Sequence, residues 1–427
     1  MNLSTILRFL SGHRDAIERV AACPRAVFVG LLFVLSAGLA REYDAEDLLA
    51  EPHHVFVPLA ASLATSFGLY LLLSLAARCW QNLGHWWLGY ARFLGLYWMT
   101  APLAWVYAIP VERFLSPYDA TLANLSLLAV VAMWRVVLMV RVVMVLFQGR
   151  LLAAATVVLF FADLIVVPAT AITSLSLIGF MGGIHLDETQ RLVADVSQTT
   201  FTIGCWTLPV WFFGSSFILG RALLTWPQPE RLGIGTQFPT PRVTHSVWKF
   251  AAGLLALGIA LLPLAQGEQQ RRREVERLSA QGDIRQAVAF MASFERDDFP
   301  PHWNPPPARR GYTVSPKLWD AVIAVHETAS PEWLSSVYRE KLDHALNGTT
   351  AWRLGLTRDD PSAERFCVML ESLPDQKEFA TRHARAFIAL TRDPDIRRPA
   401  SERLPTWLAR HGIEIPPTPP RSGEPQP

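Results

Sequence analysis

Charged residues are scarce in the first 267 positions of this 427-residue chain: 16 Arg and Lys with 14 Asp and Glu, against 23 of each sign in the 160 positions that follow. The first part is thus about 11% charged and the second about 29%, where soluble domains carry about 25%. That shortage excludes an ordinary soluble enzyme and a disordered chain. Cysteine is also sparse. Cys23, Cys79, Cys205 and Cys367 stand far apart, which excludes a disulfide scaffold and any Cys-based zinc spacing. The net charge of +2 leaves no basic excess for a nucleic-acid partner. There is no HExxH, no Walker glycine loop and no G-x-S-x-G elbow. The chain therefore reads as non-enzymatic, with no cofactor and no metal.

What is present is apolar length. A spanning helix needs about 20 mostly apolar residues, and seven stretches qualify: 22–40, 55–77, 93–110, 121–147, 151–168, 201–220 and 247–266. The first could pass for a signal peptide ending at Gly38-Leu39-Ala40. Its 25-residue basic lead is long for one, and more spans follow, so an uncleaved span is expected. Residues 1–21 then form a cytoplasmic lead, 22–267 a transmembrane helical domain, 268–415 a soluble α-helical domain, and 416–427 a disordered Pro-rich tail. The fold class is all-α: a polytopic bundle of about seven spans followed by a helical domain.

Arg and Lys fall unevenly around these spans. Twelve lie in the lead and the loops on its side (Arg8, Arg14, Arg19, Arg25, Arg78, Arg92, Arg141, Arg150, Arg221, Arg231, Arg242, Lys249), and three on the other (Arg41, Arg113, Arg191). The N-terminus is expected in the cytoplasm and, after seven crossings, the C-terminal domain outside, in a bacterial periplasm. Arg271, Arg272, Arg273 and Arg277 oppose this, and residues 169–184 could form an extra half-helix that changes the parity. Trp80, Trp86, Trp87, Trp226 and Trp248 sit at span ends and read as an interfacial belt. Ala60, Ala64 and Gly68, and likewise Ala252, Ala256 and Ala260, form small-residue stripes expected against other helices of the chain, with homodimerisation as the alternative.

Charges within a bilayer are costly and normally find partners. Arg135 and Arg141 in the fourth span and Asp163 in the fifth form the candidate intramembrane polar site. The short turn at Gln148-Gly149-Arg150 makes those spans antiparallel, which puts Arg135 and Asp163 at similar depth as an expected ion pair. Arg141 is near enough to the cytoplasmic end to snorkel. The loop 41–54 gathers Asp44, Glu46, Asp47, Glu51, His53 and His54, donors that suit a divalent metal. With no fixed ligand spacing, it reads instead as an acidic outer loop with Leu48 and Leu49 dipping into the interface. Gly179, Gly182 and Gly183, after a break at Pro168, read as the flexible entry of an outer loop.

In the second part, Ser315-Pro316, Ser330-Pro331 and Asp360-Pro361 mark helix starts. Leu318, Val322 and Ile323, then Leu334, Val337 and Leu342, recur at helical spacing. Residues 270–296 read as two helices broken at Gly282-Asp283, with Leu278, Ala287, Ala289 and Met291 inward. Five prolines within 299–307 impose an extended spacer, with Trp303 expected to fold back on its own domain. The segments REYDAEDLL (41–49) and DFPPHWNPPP (298–307) resemble a group of uncharacterised multi-pass bacterial membrane proteins. That resemblance implies a polytopic architecture and carries no activity. The partners expected are the lipid bilayer and a protein bound through the C-terminal domain, with no nucleic acid. A transporter or channel using the polar residues is the alternative, and an intramembrane lipid-acting enzyme the second alternative.

Overall fold

A computed structural model describes residues 1–43, 45–76, 83–173, 188–221, 242–307, 317–328, 330–346, 354, 356, 360–393, 396 and 399–416. The fold is all-helical, with no strand among the described residues. By its internal contacts the chain divides into two compact units, Met1–Gln269 and Gln270–Pro427.

Unit 1 opens with two amphipathic helices, α1 (Leu3–Leu10) and α2 (Arg14–Ala21). Asn2 caps α1 by accepting from the Thr5 N–H at 2.9 Å, which satisfies one of the free donors of the first turn. Gly12, at φ +74°, ends it in the left-handed conformation, with the Gly12 N–H on Phe9 O and the His13 N–H on Arg8 O. Ile6, Phe9, Ile17 and Val20 face inward; Arg8, Arg14 and Arg19 stay outside, paired with Asp15 and Glu18. Then α3 (Ala26–Glu42) leaves α2 at a bend of 105°.

Six further helices follow, of which α5 continues into a 3-10 segment: α4 (Phe56–Ala76), α5 (Leu83–Trp98), α6 (Pro117–Leu146), α7 (Leu151–Thr173), α8 (Glu188–Arg221) and α9 (His245–Ala265). Among the described residues, six helical stretches are long and apolar enough to cross a membrane: Pro52–Ala76, Trp86–Arg113, Pro117–Leu146, Leu151–Ala171, Glu188–Ile218 and His245–Ala265. The sequence-marked stretch 22–40 differs. Its helix, α3, is 17 residues and about 25 Å long, short of a hydrocarbon core of about 30 Å. Only when joined to α2 does it make a seventh, sharply bent candidate.

The packing explains why α3 is apolar all round. It is the hub of unit 1, held by α4, α5, α9 and the 3-10 helix Ala101–Ala108, with Val29 and Phe33 fully buried. Helices α3 and α5 approach closely because Gly30 faces Trp98 and Gly95 faces the Val27 backbone. A Cβ on Gly30 would lie 2.7 Å from the Trp98 Cβ. Trp105 donates to Ser36 Oγ at 3.1 Å and sets its ring edge-on to Phe33. Helices α7 and α8 form the most extensive antiparallel pair, and α6 packs on both.

The stripe Ala252, Ala256 and Ala260 is exposed, because α9 buries the other side, Val247, Ala251 and Leu262. Ala60 and Ala64 are exposed too; only Gly68 meets a helix, through the Phe161 ring. Trp86 is a core residue rather than part of a belt. Its N–H donates to Ser74 Oγ at 3.0 Å, and its ring packs on Phe67 and Tyr70. Helix α7 runs on through Pro168 to Thr173, and the Thr170 hydroxyl donates to Val166 O at 2.7 Å beside the proline. Trp80, Trp226 and the glycines at 179, 182 and 183 lie outside the described residues.

Unit 2 begins within α10 (Gly267–Gln281) and continues through α11 (Ile284–Ala292), α12 (Lys317–Glu327), α13 (Glu332–Leu346), α14 (Asp360–Ser372), α15 (Gln376–Arg382), α16 (Ala384–Thr391) and α17 (Ala400–Arg410). Gly282, at φ +95°, makes the break between α10 and α11, with the Gly282 N–H on Ser279 O and the Asp283 N–H on Leu278 O. Val288 rather than Ala289 takes the inward position on α11. Helix α12 is central and touches α11, α13 and α14, so the helices surround one core instead of stacking in series. Trp319, Phe366, Phe379 and Phe387 are fully buried there, each adding about 2–3 kcal/mol of apolar transfer energy. The Ser330 hydroxyl is buried without a partner. The α13 start rests instead on the Pro331 carbonyl, which accepts from the Leu334 and Ser335 N–H groups. Trp303 folds back on its own unit, stacked on Phe299 at 5.1 Å.

Candidate functional site

The three charged residues singled out in the membrane part do not converge. Arg135 is turned toward α5, where its guanidinium lies over the Tyr97 ring at 5.3 Å, and the Tyr97 hydroxyl meets Thr65 Oγ1 at 3.0 Å. Asp163 is turned the other way, toward α8, and accepts from Thr207 Oγ1 at 2.6 Å. Arg141 reaches the α1–α2 turn, its Nε donating to Gly12 O at 3.2 Å, while Trp134 donates to Leu10 O at 2.9 Å. The ion pair expected between Arg135 and Asp163 is absent from the described ion pairs. Similar depth did not bring them together because α7 spends its polar face on α8, its main packing partner. Each charge instead meets a ring, a hydroxyl or a turn carbonyl. That lowers its cost in an apolar surrounding.

The amphipathic lead supplies what the sequence reading did not foresee, a partner for Arg141. The Gly12 carbonyl lies in the turn between the two helices, outside both hydrogen-bond ladders, and the guanidinium gives it a donor. The start of α1 is tied separately to the residues that lead into α9, for the Met1 ammonium donates to Arg242 O at 2.7 Å and the Thr244 N–H to Met1 O at 2.9 Å.

The loop between α3 and α4 is held by a residue that carries no motif at all. Gln266 is fully buried at the end of α9; its Nε2 donates to Tyr43 O at 2.5 Å and Glu46 O at 2.8 Å, and its Oε1 accepts from the Leu48 N–H at 2.5 Å. Leu48 consequently packs inward on Leu39 and Leu262 instead of dipping into an interface, whereas Leu49 stays exposed. The Asp47 carboxylate accepts from the Ala50 N–H. A lone glutamine after an apolar run gives no sequence signal for such a role.

In unit 2, Lys341 donates to the carbonyls of Pro305 and Pro307, and Tyr338 donates to that of Pro306. Burial pushes the Lys341 amine down to about 8 and the Tyr338 phenol up. Burial also pushes the Cys367 thiol up to about 11, which makes it a poor nucleophile. His383 and Asp343 meet at 2.8 Å, with the imidazole packed on Phe379 and Phe387. No nucleophile hydrogen-bonded to that pair occurs among the described residues, so it reads as a buried structural link.

No protein family, no curated protein and no solved structure matches this chain.

Proposed function

We propose that the chain is a non-enzymatic, multi-pass membrane protein whose second unit binds a protein partner or organises an assembly at the membrane. The observation that carries the reading is the division of labour between the units. Unit 2 has a core of its own, centred on Trp319, Phe366, Phe379 and Phe387, while Arg135, Arg141 and Asp163 are satisfied separately within unit 1. A transport pathway needs polar groups that share one cavity. Three charges with three unrelated partners speak against the transporter alternative, and the inert thiol and structural His–Asp link against the enzyme.

In this reading the lead lies in the cytoplasm of a bacterium, and seven crossings of its inner membrane carry the soluble helical domain to the periplasm. Arg and Lys counts of 12 against 3 support that orientation. The bent α2–α3 pair is the first crossing, with α3 as its apolar part and α2 at its cytoplasmic end. The experiment is co-purification from membranes in mild detergent, using the full chain and a chain ending at Gln269. A stoichiometric partner retained only by the full chain is expected. Identical partners for both chains would refute the assignment to unit 2. Solute flux in proteoliposomes that Asp163→Ala abolishes would favour the transporter.

A further inference from the structure

We infer that Glu46, Glu51 and His54 form a binding site for a divalent transition-metal ion, at the end of unit 1 where α3, α4 and α9 meet. The linear spacing of these residues gives no metal pattern, but the fold brings one ligand atom from each within 4.8 Å of the others. His54 Nε2 already stands 3.3 Å from Glu51 Oε2. Ligand atoms around a tetrahedral zinc with bonds of about 2.1 Å are separated by about 3.4 Å, so that edge fits without movement. Closing the remaining edges takes a side-chain rotation of Glu46. An imidazole with two carboxylates suits Zn²⁺ or Mn²⁺, and three protein donors leave a coordination position open.

The surroundings hold the backbone of the site. Gln266 fixes the carbonyls of Tyr43 and Glu46 and the N–H of Leu48. The Glu51 N–H donates to Asp47 O at 2.8 Å and the His54 N–H to Glu51 O at 3.3 Å, so the second and third donors share one turn. The backbone that carries all three donors is therefore tied down before any ion arrives, which lowers the ordering cost of binding. His54 and Glu51 keep side-chain exposures of 29% and 39%, enough for an ion to enter. His53 stacks beside His54 but is not one of the three donors. The bound ion would cross-link the α3–α4 loop to the start of α4. The competing arrangement of the same groups is the direct hydrogen bond between His54 Nε2 and Glu51 Oε2 at 3.3 Å.

The test uses the full chain in detergent, free of any polyhistidine tag and stripped with a chelator. Zn²⁺ and Mn²⁺ are then added separately, and bound metal is measured by equilibrium dialysis. One equivalent of at least one of them is expected per chain. Affinity should fall at least tenfold in Glu51→Gln and in His54→Ala and stay unchanged in His53→Ala. A second readout needs no variant: the bound ion should shield His54, and not His53, from diethyl pyrocarbonate, with both followed by peptide mass spectrometry. Failure to bind either ion at micromolar concentration, or equal modification of His54 with and without metal, overturns the site.

Discussion

Replacing Gln266 by Leu removes three hydrogen bonds at once while keeping nearly the same volume. At about 1 kcal/mol net per bond the loss is about 3 kcal/mol, and the Leu48 N–H keeps only its second bond, to Glu46 O at 3.0 Å. The loss should appear as local opening of residues 43–51 rather than global unfolding, because the core around α3 is untouched. About 3 kcal/mol corresponds to an opening equilibrium shifted about a hundredfold. Amide hydrogen exchange on the full chain in detergent reads this directly, with Leu48 the diagnostic amide. Gln266→Glu separates hydrogen bonding from packing. It keeps an acceptor for Leu48 but turns a carboxylate toward two carbonyl oxygens, so it should open the loop at least as much as Leu does. Unchanged exchange at Leu48 in Gln266→Leu would refute the reasoning.

Four further outcomes are expected. Arg135→Ala and Asp163→Ala should have additive effects on unfolding in detergent, with a coupling energy below about 0.5 kcal/mol, and Asp163→Asn should be tolerated because its carbonyl can accept from Thr207; a large coupling would restore the ion pair. Gly30→Ala should destabilise the bundle by about 2 kcal/mol or more, since the new Cβ has a backbone-near Trp98 Cβ to displace, and a thermal melt equal to that of the unaltered chain counts against the close α3–α5 crossing. Lys341 is charged in both folded and unfolded chains below about pH 8, and between about 8 and 10.5 only the unfolded chain keeps the proton, so stability relative to Lys341→Met should rise with pH through that window by up to about 3 kcal/mol; a flat difference between pH 7 and 10 refutes the burial argument. A fusion at Pro427 to alkaline phosphatase should be active and one to a cytoplasm-dependent fluorescent protein dark; the reverse would mean that α2–α3 enters and leaves on one side.

The long helices were legible because their causes are local. An apolar run satisfies its own backbone hydrogen bonds as a helix, so the stretches at 55–77, 121–147 and 247–266 each lie within one or two residues of a helix or run inside it. The stop at Gly282 was legible for the same reason, since a left-handed residue after a charged helix needs no distant partner. Burial was not legible in the first part. Lipid and a helix interior are equally apolar, so composition does not say which side of a helix faces which. The small residues that matter proved to be Gly30 and Gly95 rather than Ala252, Ala256 and Ala260, although the same physical rule applies to both. Partners at long range were equally hidden. Asp163 met Thr207 and Arg141 met Gly12, because helix rotation rather than depth selects what a side chain touches. Glu51 and His54 meet within one local turn, whereas the backbone of Glu46 beside them is held by Gln266, more than 200 positions away. Sequence alone decided where this chain is helical and where it is apolar; the choice of neighbours belonged to the tertiary structure, because a neighbour is fixed by the packing of whole helices and no local propensity encodes it.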